Sequence, residues 1–197
     1  MDAGNWVEAE REEKWHPALR GSLNLPERFA DAHPSGIPHE ALRTVVRRYF
    51  ASFQEEALIG RAPSFFGRAE TFKTYSAAVI ARWVHGYGHL QVEWVESTEF
   101  GHLERNRFHA DTTARLQRLE TVAFCVLDDI TNVVPRTPAE TMLTGIACAR
   151  FANNRPTVFT GNFPLENDRV QQFADRYSPA LARRILRGSA GYLCVTG

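Results

Sequence analysis

The spacing of apolar positions separates helices from strands along this chain. Between His39 and Glu56, the residues Leu42, Val45, Val46, Tyr49, Phe50 and Phe53 form one stripe at helical spacing. Arg43, Arg47 and Arg48 lie off that stripe and read as a solvated face rather than a nucleic-acid patch. Ala62–Phe66 is a short apolar run, and an amphipathic pattern follows it (Tyr75, Ala78, Val79, Arg82, Trp83) as far as His85. Gly86 or Gly88 then ends this helix. Leu90–Val95 carries the β-preferring Val92, Trp94 and Val95. Residues 97–120 predict one or two helices, capped by Ser97, broken near Asn106–Asp111, with Leu116 and Leu119 facing inward. Val122–Ile130 opens with six apolar residues in a row, which suits a strand buried on both faces of a parallel sheet. Pro138–Arg150 is a helix with proline in its first turn. Pro156–Thr160 is a fourth strand, Asp168–Tyr177 and Ser178–Arg187 are two more helices, and Gly191–Val195 is the last strand. Regular alternation of this kind predicts an α/β fold: a three-layer αβα arrangement around a five-stranded, mostly parallel sheet.

Composition refines this picture in a few places. A chain of 197 residues, 44% hydrophobic, is long enough for one ordinary domain with a sizeable core. Residues 1–22 are polar and charged, with Trp6 and Trp15 as the large apolar anchors. They read as an N-terminal arm, a frayed terminus on composition and alternatively a docking peptide, ahead of a core at 23–197. Residues 21–38, rich in proline and glycine, predict irregular chain hugging the surface. The net charge of zero demands no nucleic acid, although it can hide a basic face. No apolar run approaches the roughly 18 residues of a membrane span, and the acidic N-terminus lacks the apolar region of a signal peptide, so a cytoplasmic protein is expected. Three cysteines without a C-x-x-C pair read as buried free thiols. His85 and His89 stand four apart, but the glycines between them argue against a helical metal pair.

Chemistry concentrates at the ends of the predicted strands. Phe66–Thr74 reads FGRAETFKT: a strand end, Gly67, then Lys73-Thr74 opening a helix. This is the layout of a phosphate-binding loop of the pattern G-x-x-x-x-G-K-[ST]. Phe72 stands where its last glycine should be, and Glu70 stands where the GPPGTGKT type has a further glycine. Glycine there lets backbone N–H groups close around phosphate at positive φ, and a strained substitute costs of order 1–3 kcal/mol. The strand VAFCVLDDI ends in Asp128 and Asp129, paired acids that are costly to bury unless a cation or hydrogen-bond donors meet them. An apolar strand ending in an acid is the arrangement that holds Mg²⁺ in nucleotide hydrolases, and a surface turn is the alternative. Asn162, just after the fourth strand, stands beside this tip, where its amide can orient a water; a turn residue is the alternative.

The order of these pieces resembles the DnaC/IstB family of AAA+ ATPases, the replicative helicase loaders and transposition helper ATPases. The resemblance is carried by Asn24-Leu25-Pro26-Glu27-Arg28-Phe29, by Lys73 to Ala78, by Val126-Leu127-Asp128-Asp129-Ile130, by Arg155 to Asn162, and by Leu181-Ala182-Arg183-Arg184-Ile185-Leu186. It spans residues 24–197 and implies a P-loop NTPase fold of the AAA+/ASCE type. It further implies that Gly67, Lys73 and Thr74 bind ATP, that Thr74 and Asp128 ligate Mg²⁺, and that Asp129 polarises water. Asn162 would be sensor 1, and Arg184, with Arg183 as competitor, the nucleotide-sensing or subunit-bridging arginine. The implied function is a helicase loader acting on the replicative helicase and single-stranded DNA, assembled as a ring or helical filament and, given its small size, phage- or mobile-element-encoded. An IstB-like transposition helper and a non-hydrolysing adaptor are the alternatives. Arg105, Arg107 and Arg136 are the candidate DNA contacts.

Overall fold

The computed structural model describes residues 23, 25–163, 173 and 175–196. The N-terminal arm with Trp6 and Trp15, and most of the expected helix Asp168–Tyr177, lie outside the described residues. Within them, five strands form one sheet: β1 Ser64–Gly67, β2 Val92–Glu96, β3 Phe124–Asp128, β4 Thr157–Gly161 and β5 Leu193–Thr196. Their order is β2-β3-β4-β1-β5, and every pairing is parallel rather than mostly so. The fully described helices that connect and cover them are α1 Glu40–Leu58, α2 Lys73–Gly86, α3 Ser97–Arg105, α4 Ala110–Thr121, α5 Pro138–Ala152 and α6 Pro179–Gly188. The expected break between α3 and α4 is present. The expected cap at Ser97 is not: Ser97 is the buried first residue of α3, because β2 runs into the helix with no intervening turn.

The apolar runs are continuous because consecutive strand residues serve opposite faces. Phe65, Val92, Trp94, Phe124, Val126 and Val158 pack on one side with α1 and α2. Phe66, Val95, Cys125, Leu127 and Phe159 pack on the other with α3, α4, α5 and α6. The irregular lead-in before α1 contains two short 3₁₀ turns, Glu27–Phe29 and Pro34–Gly36, and lies against α2. Arg82 of α2 donates to the Ala32 carbonyl (2.7 Å), while Tyr75 Oη accepts from the His33 N–H (3.0 Å) and donates to the His33 carbonyl (3.2 Å). Gly36 permits this approach, since a Cβ there would come within 2.1 Å of the Tyr75 hydroxyl.

The sheet end opposite the strand carboxyl termini is held by Arg150, a fully buried arginine of α5. Its Nε donates to Thr157 Oγ1 (2.8 Å), Nη1 to the Leu119 and Val122 carbonyls (2.8 and 2.9 Å), and Nη2 to the Pro156 carbonyl (2.9 Å). One guanidinium thus joins α4, the entry to β3 and the entry to β4. Burial lowers its pKa from the ordinary arginine value, and the four oxygens compensate the charge. Replacing it by methionine strips the donors and leaves those oxygens enclosed. Arg150→Met is expected to cost about 3 kcal/mol or more of folding stability, measured as a lowered urea midpoint by circular dichroism.

Candidate functional site

The turn between β1 and α2 holds non-glycine residues in a backbone conformation that glycine favours. Gly67 has φ 142°, and Glu70 and Phe72 both sit at φ 60°. Phe72 replaces the last glycine of the loop pattern and Glu70 the further glycine of the GPPGTGKT type, and both adopt the left-handed conformation that glycine takes freely. The Phe72 ring is 43% exposed and stands edge-on to His39 (5.9 Å) and Tyr75 (6.0 Å). Lys73 begins α2 and is buried, its Nζ donating to the Arg68 carbonyl and to Thr71 Oγ1 (3.0 Å). Burial lowers the Lys73 pKa, and Asp129 and Asp128 oppose that shift.

The acids at the end of β3 are met by hydroxyls and amides. Asp128 Oδ1 accepts from Thr74 Oγ1 (2.9 Å) and from Thr160 Oγ1 (2.5 Å). Burial raises the Asp128 pKa, Asp129 and Glu96 adding to the shift while the two threonine hydrogen bonds counter it. Glu96 belongs there because it ends β2 in register with Asp128. The strand stops at Asp128, shorter than the expected run to Ile130, because Asp129 turns into the left-handed region at φ 50° and starts a 3₁₀ turn. Asp129 Oδ1 accepts from Thr131 Oγ1 (3.0 Å) and Asn162 Nδ2 (3.2 Å), and Oδ2 accepts from Asn132 Nδ2 (2.6 Å). The Asn162 N–H also donates to Thr131 Oγ1 (2.8 Å). Gly161 lets that turn come close: a Cβ on it would meet Thr131 Cγ2 at 2.7 Å.

Lys73, Thr74, Asp129 and Asn162 line one cavity of about 410 Å³, and Phe29, Phe72 and Tyr75 line it as well. Asp128 joins this group through Thr74. Gly67 opens the loop without lining the cavity. Arg184 does not join it within the chain. Its guanidinium lies over the Phe151 ring (4.8 Å) near the C-terminus of α5, the end that leads into the far edge of β4. The competitor Arg183 is exposed. Arg105 and Arg107 are exposed at the α3–α4 turn, Arg107 stacked on an 86% exposed Phe108 (4.7 Å). Arg136 is exposed on the loop after the acids, its N–H held by the buried Glu140 carboxylate.

Sequence reasoning missed Thr160, Thr131 and Asn132, which bind the two acids, and Arg176, which donates to the Thr131 carbonyl behind the turn. Thr160 was within reach of sequence, because the β4 end that offers Asn162 must offer its neighbour to the adjacent strand as well. Thr131 and Asn132 follow the acids directly, but only the left-handed turn at Asp129 folds them back onto its carboxylate.

No protein-family model matches the sequence, and neither does any curated protein. Solved structures do match. The DnaC helicase loader aligns with a TM-score of 0.75 at 17% identity, covering 87% of this chain and 100% of that one. DnaI aligns at 0.68 with 22% identity over 88% of this chain and 95% of the other. The replication initiator DnaA, bound to AMPPCP and single-stranded DNA, aligns at 0.64 with 14% identity over 82% of this chain and 48% of that one. Identities this low establish a common fold: the chain has the P-loop NTPase fold of the AAA+ type, in agreement with the strand order. Among the described residues no helix is long and apolar enough to cross a membrane.

The raised Asp128 pKa has a consequence for stability. The folded state holds the Asp128 proton more tightly than the unfolded chain, so ionisation of this group lowers stability as pH rises from 3.8 through the folded pKa. Asp128→Asn keeps an acceptor for Thr74 and Thr160 without the charge. In metal-free buffer the variant is expected to melt above the wild type at pH 7 and to lose that advantage near pH 4, as read by thermal denaturation.

Proposed function

We propose that this chain binds ATP with Mg²⁺ and hydrolyses it as a loader of the replicative helicase on single-stranded DNA. The observation that carries the reading is the meeting of Lys73, Thr74, Asp128, Asp129 and Asn162 around one cavity, beside a loop whose Glu70 and Phe72 hold the positive φ that glycine takes freely. The aromatic wall supports a nucleotide over inorganic polyphosphate, which has no apolar part to cover. The fold shared with a helicase loader, and with an initiator bound to an ATP analogue and single-stranded DNA, supports the wider role.

The residues divide the work by position. Lys73 leaves its carbonyl and hydroxyl partners to pair with the β- and γ-phosphates, and the N–H groups of the loop and of the α2 N-terminus hold their oxygens. The Thr74 hydroxyl and the Asp128 carboxylate are hard oxygen donors side by side, a set that fits Mg²⁺. Bound there, the ion neutralises phosphate charge. Asp129 is fixed by three donors, so its carboxylate aims an attacking water, and Asn162 steadies that carboxylate and the water together. Arg184 lies away from its own cavity, which suits an arginine offered to a neighbouring subunit in a ring or helical filament. Residues 1–22 serve as the arm that docks on the helicase, ahead of the ATPase core, and the protein acts in the cytoplasm.

Single-stranded DNA is met by Arg105, Arg107 and Arg136. Phe108 beside Arg107 supplies a face on which a base can stack.

Calorimetric titration with a non-hydrolysable ATP analogue tests the site. Binding should require Mg²⁺ and weaken roughly 10- to 100-fold in Lys73→Ala, the worth of a charge-assisted hydrogen bond. Equal binding by the variant rejects the ATPase in favour of a nucleotide-blind adaptor. For the DNA surface, Arg107→Ala is expected to weaken single-strand binding whatever the sequence. It should also lower the slope of log K against log salt by about 0.7, as loss of one phosphate contact does.

A further inference from the structure

The nucleotide reading leaves Phe72 unexplained. Its ring replaces a glycine at a left-handed position, yet it is neither buried in the core nor turned away from the cavity. It stands at one end of the cavity wall in a chain of edge-on rings: His39 to Phe72 at 5.9 Å, Phe72 to Tyr75 at 6.0 Å, Tyr75 to Phe29 at 6.4 Å. Two of these rings are immobilised from behind. The Tyr75 hydroxyl is held by both backbone groups of His33, and Phe29 packs on Trp94 at 6.3 Å. Among the three rings that line the cavity, Phe72 is the exposed one, with 43% of its surface open.

We propose that Phe72 is a specificity-determining residue that stacks on the nucleobase, so that the chain has exchanged the glycine of its phosphate loop for a base-binding ring. This rests on the reading of the cavity as a nucleotide site. Lys73 directly follows Phe72, so one turn of backbone presents an ammonium to the phosphates and an aromatic face to the base. A flat, apolar, partly open ring beside two fixed rings is what a purine needs, because aromatic stacking requires a π-face and no hydrogen-bond match. The replacement thereby offsets part of the cost of holding a bulky residue at φ 60°. Because every base has a π-face, the ring favours a nucleotide over a bare phosphate chain without choosing strongly among bases.

The test is the ratio of two affinities in the wild type and in Phe72→Gly, a variant whose glycine adopts φ 60° freely and endangers the fold little. Mg²⁺–ATP and Mg²⁺–tripolyphosphate are titrated calorimetrically. Loss of strain in the loop acts on both ligands alike, so their ratio isolates the base. The wild type is expected to prefer ATP to tripolyphosphate, and Phe72→Gly to narrow that preference about tenfold, the worth of one stacked base. Phe72→Tyr, which keeps the aromatic face, is expected to retain it. An unchanged or widened preference in the glycine variant, with tripolyphosphate still bound, overturns the role of Phe72 and leaves the phosphate site standing. If the wild type binds neither ligand, the nucleotide reading and the proposal both fall.

Discussion

A single carboxylate oxygen holds the functional edge of this molecule together. Asp128 Oδ1 takes one hydroxyl from the first turn of α2 and another from the end of β4, while its own residue ends β3. Three elements that the chain order keeps far apart are thus brought to one atom. The arrangement carries an electrostatic cost, seen in the raised pKa, because a carboxylate only 3% exposed faces Asp129 and Glu96 as well. Two neutral donors offset part of that cost and leave the remaining lone pairs for a cation. The edge is therefore held in shape by a group whose charge is satisfied only in part. An ordinary structural hydrogen bond is satisfied in full.

The contrast with Arg150 shows how the sheet divides its roles. At the opposite edge a buried charge finds an oxygen for every nitrogen of its guanidinium and is complete within the protein. The carboxyl edge carries left-handed turns at Glu70, Phe72 and Asp129, and the opposite edge has its own at His89 and Asn154. Each of the carboxyl-edge turns aims something: the first two shape the loop, and the third swings Thr131 and Asn132 under the Asp129 carboxylate.

Much of the fold is legible in the chain because the two sheet faces are both covered. That produces near-continuous apolar strands, of which Val122–Leu127 is the plainest, and helices whose stripes alternate with them. Strand limits were less legible: the expected strand ran on to Ile130, and a backbone rotation at Asp129 ends β3 earlier. The meeting of Lys73, Thr74, Asp128, Asp129 and Asn162 was readable because parallel strands bring all their carboxyl ends to one edge. The Thr131 hydroxyl on Asp129 was not readable as such, since threonine is equally at home in any strand or turn. Arg184 was placed by resemblance alone, and the structure sets it on Phe151, away from the cavity. Phe72 read as damage to a motif because sequence records which residue is absent but not where the new ring points.

The position of β1 also bears on how the molecule comes into being. Ser64 pairs on one side with Phe159 and on the other with Leu193, so the strand that leads to Lys73 has no sheet neighbour until residues 157–196 have been made. Until then β1 presents two bare, apolar edges to solvent, the condition in which nascent chains associate wrongly or are taken up by chaperones. The pairing of β2 with β3, closer in sequence, can form first and wait as a half-sheet. The cavity is consequently among the last features to be completed, and translation speed across residues 157–196 sets how long the unfinished edge remains exposed.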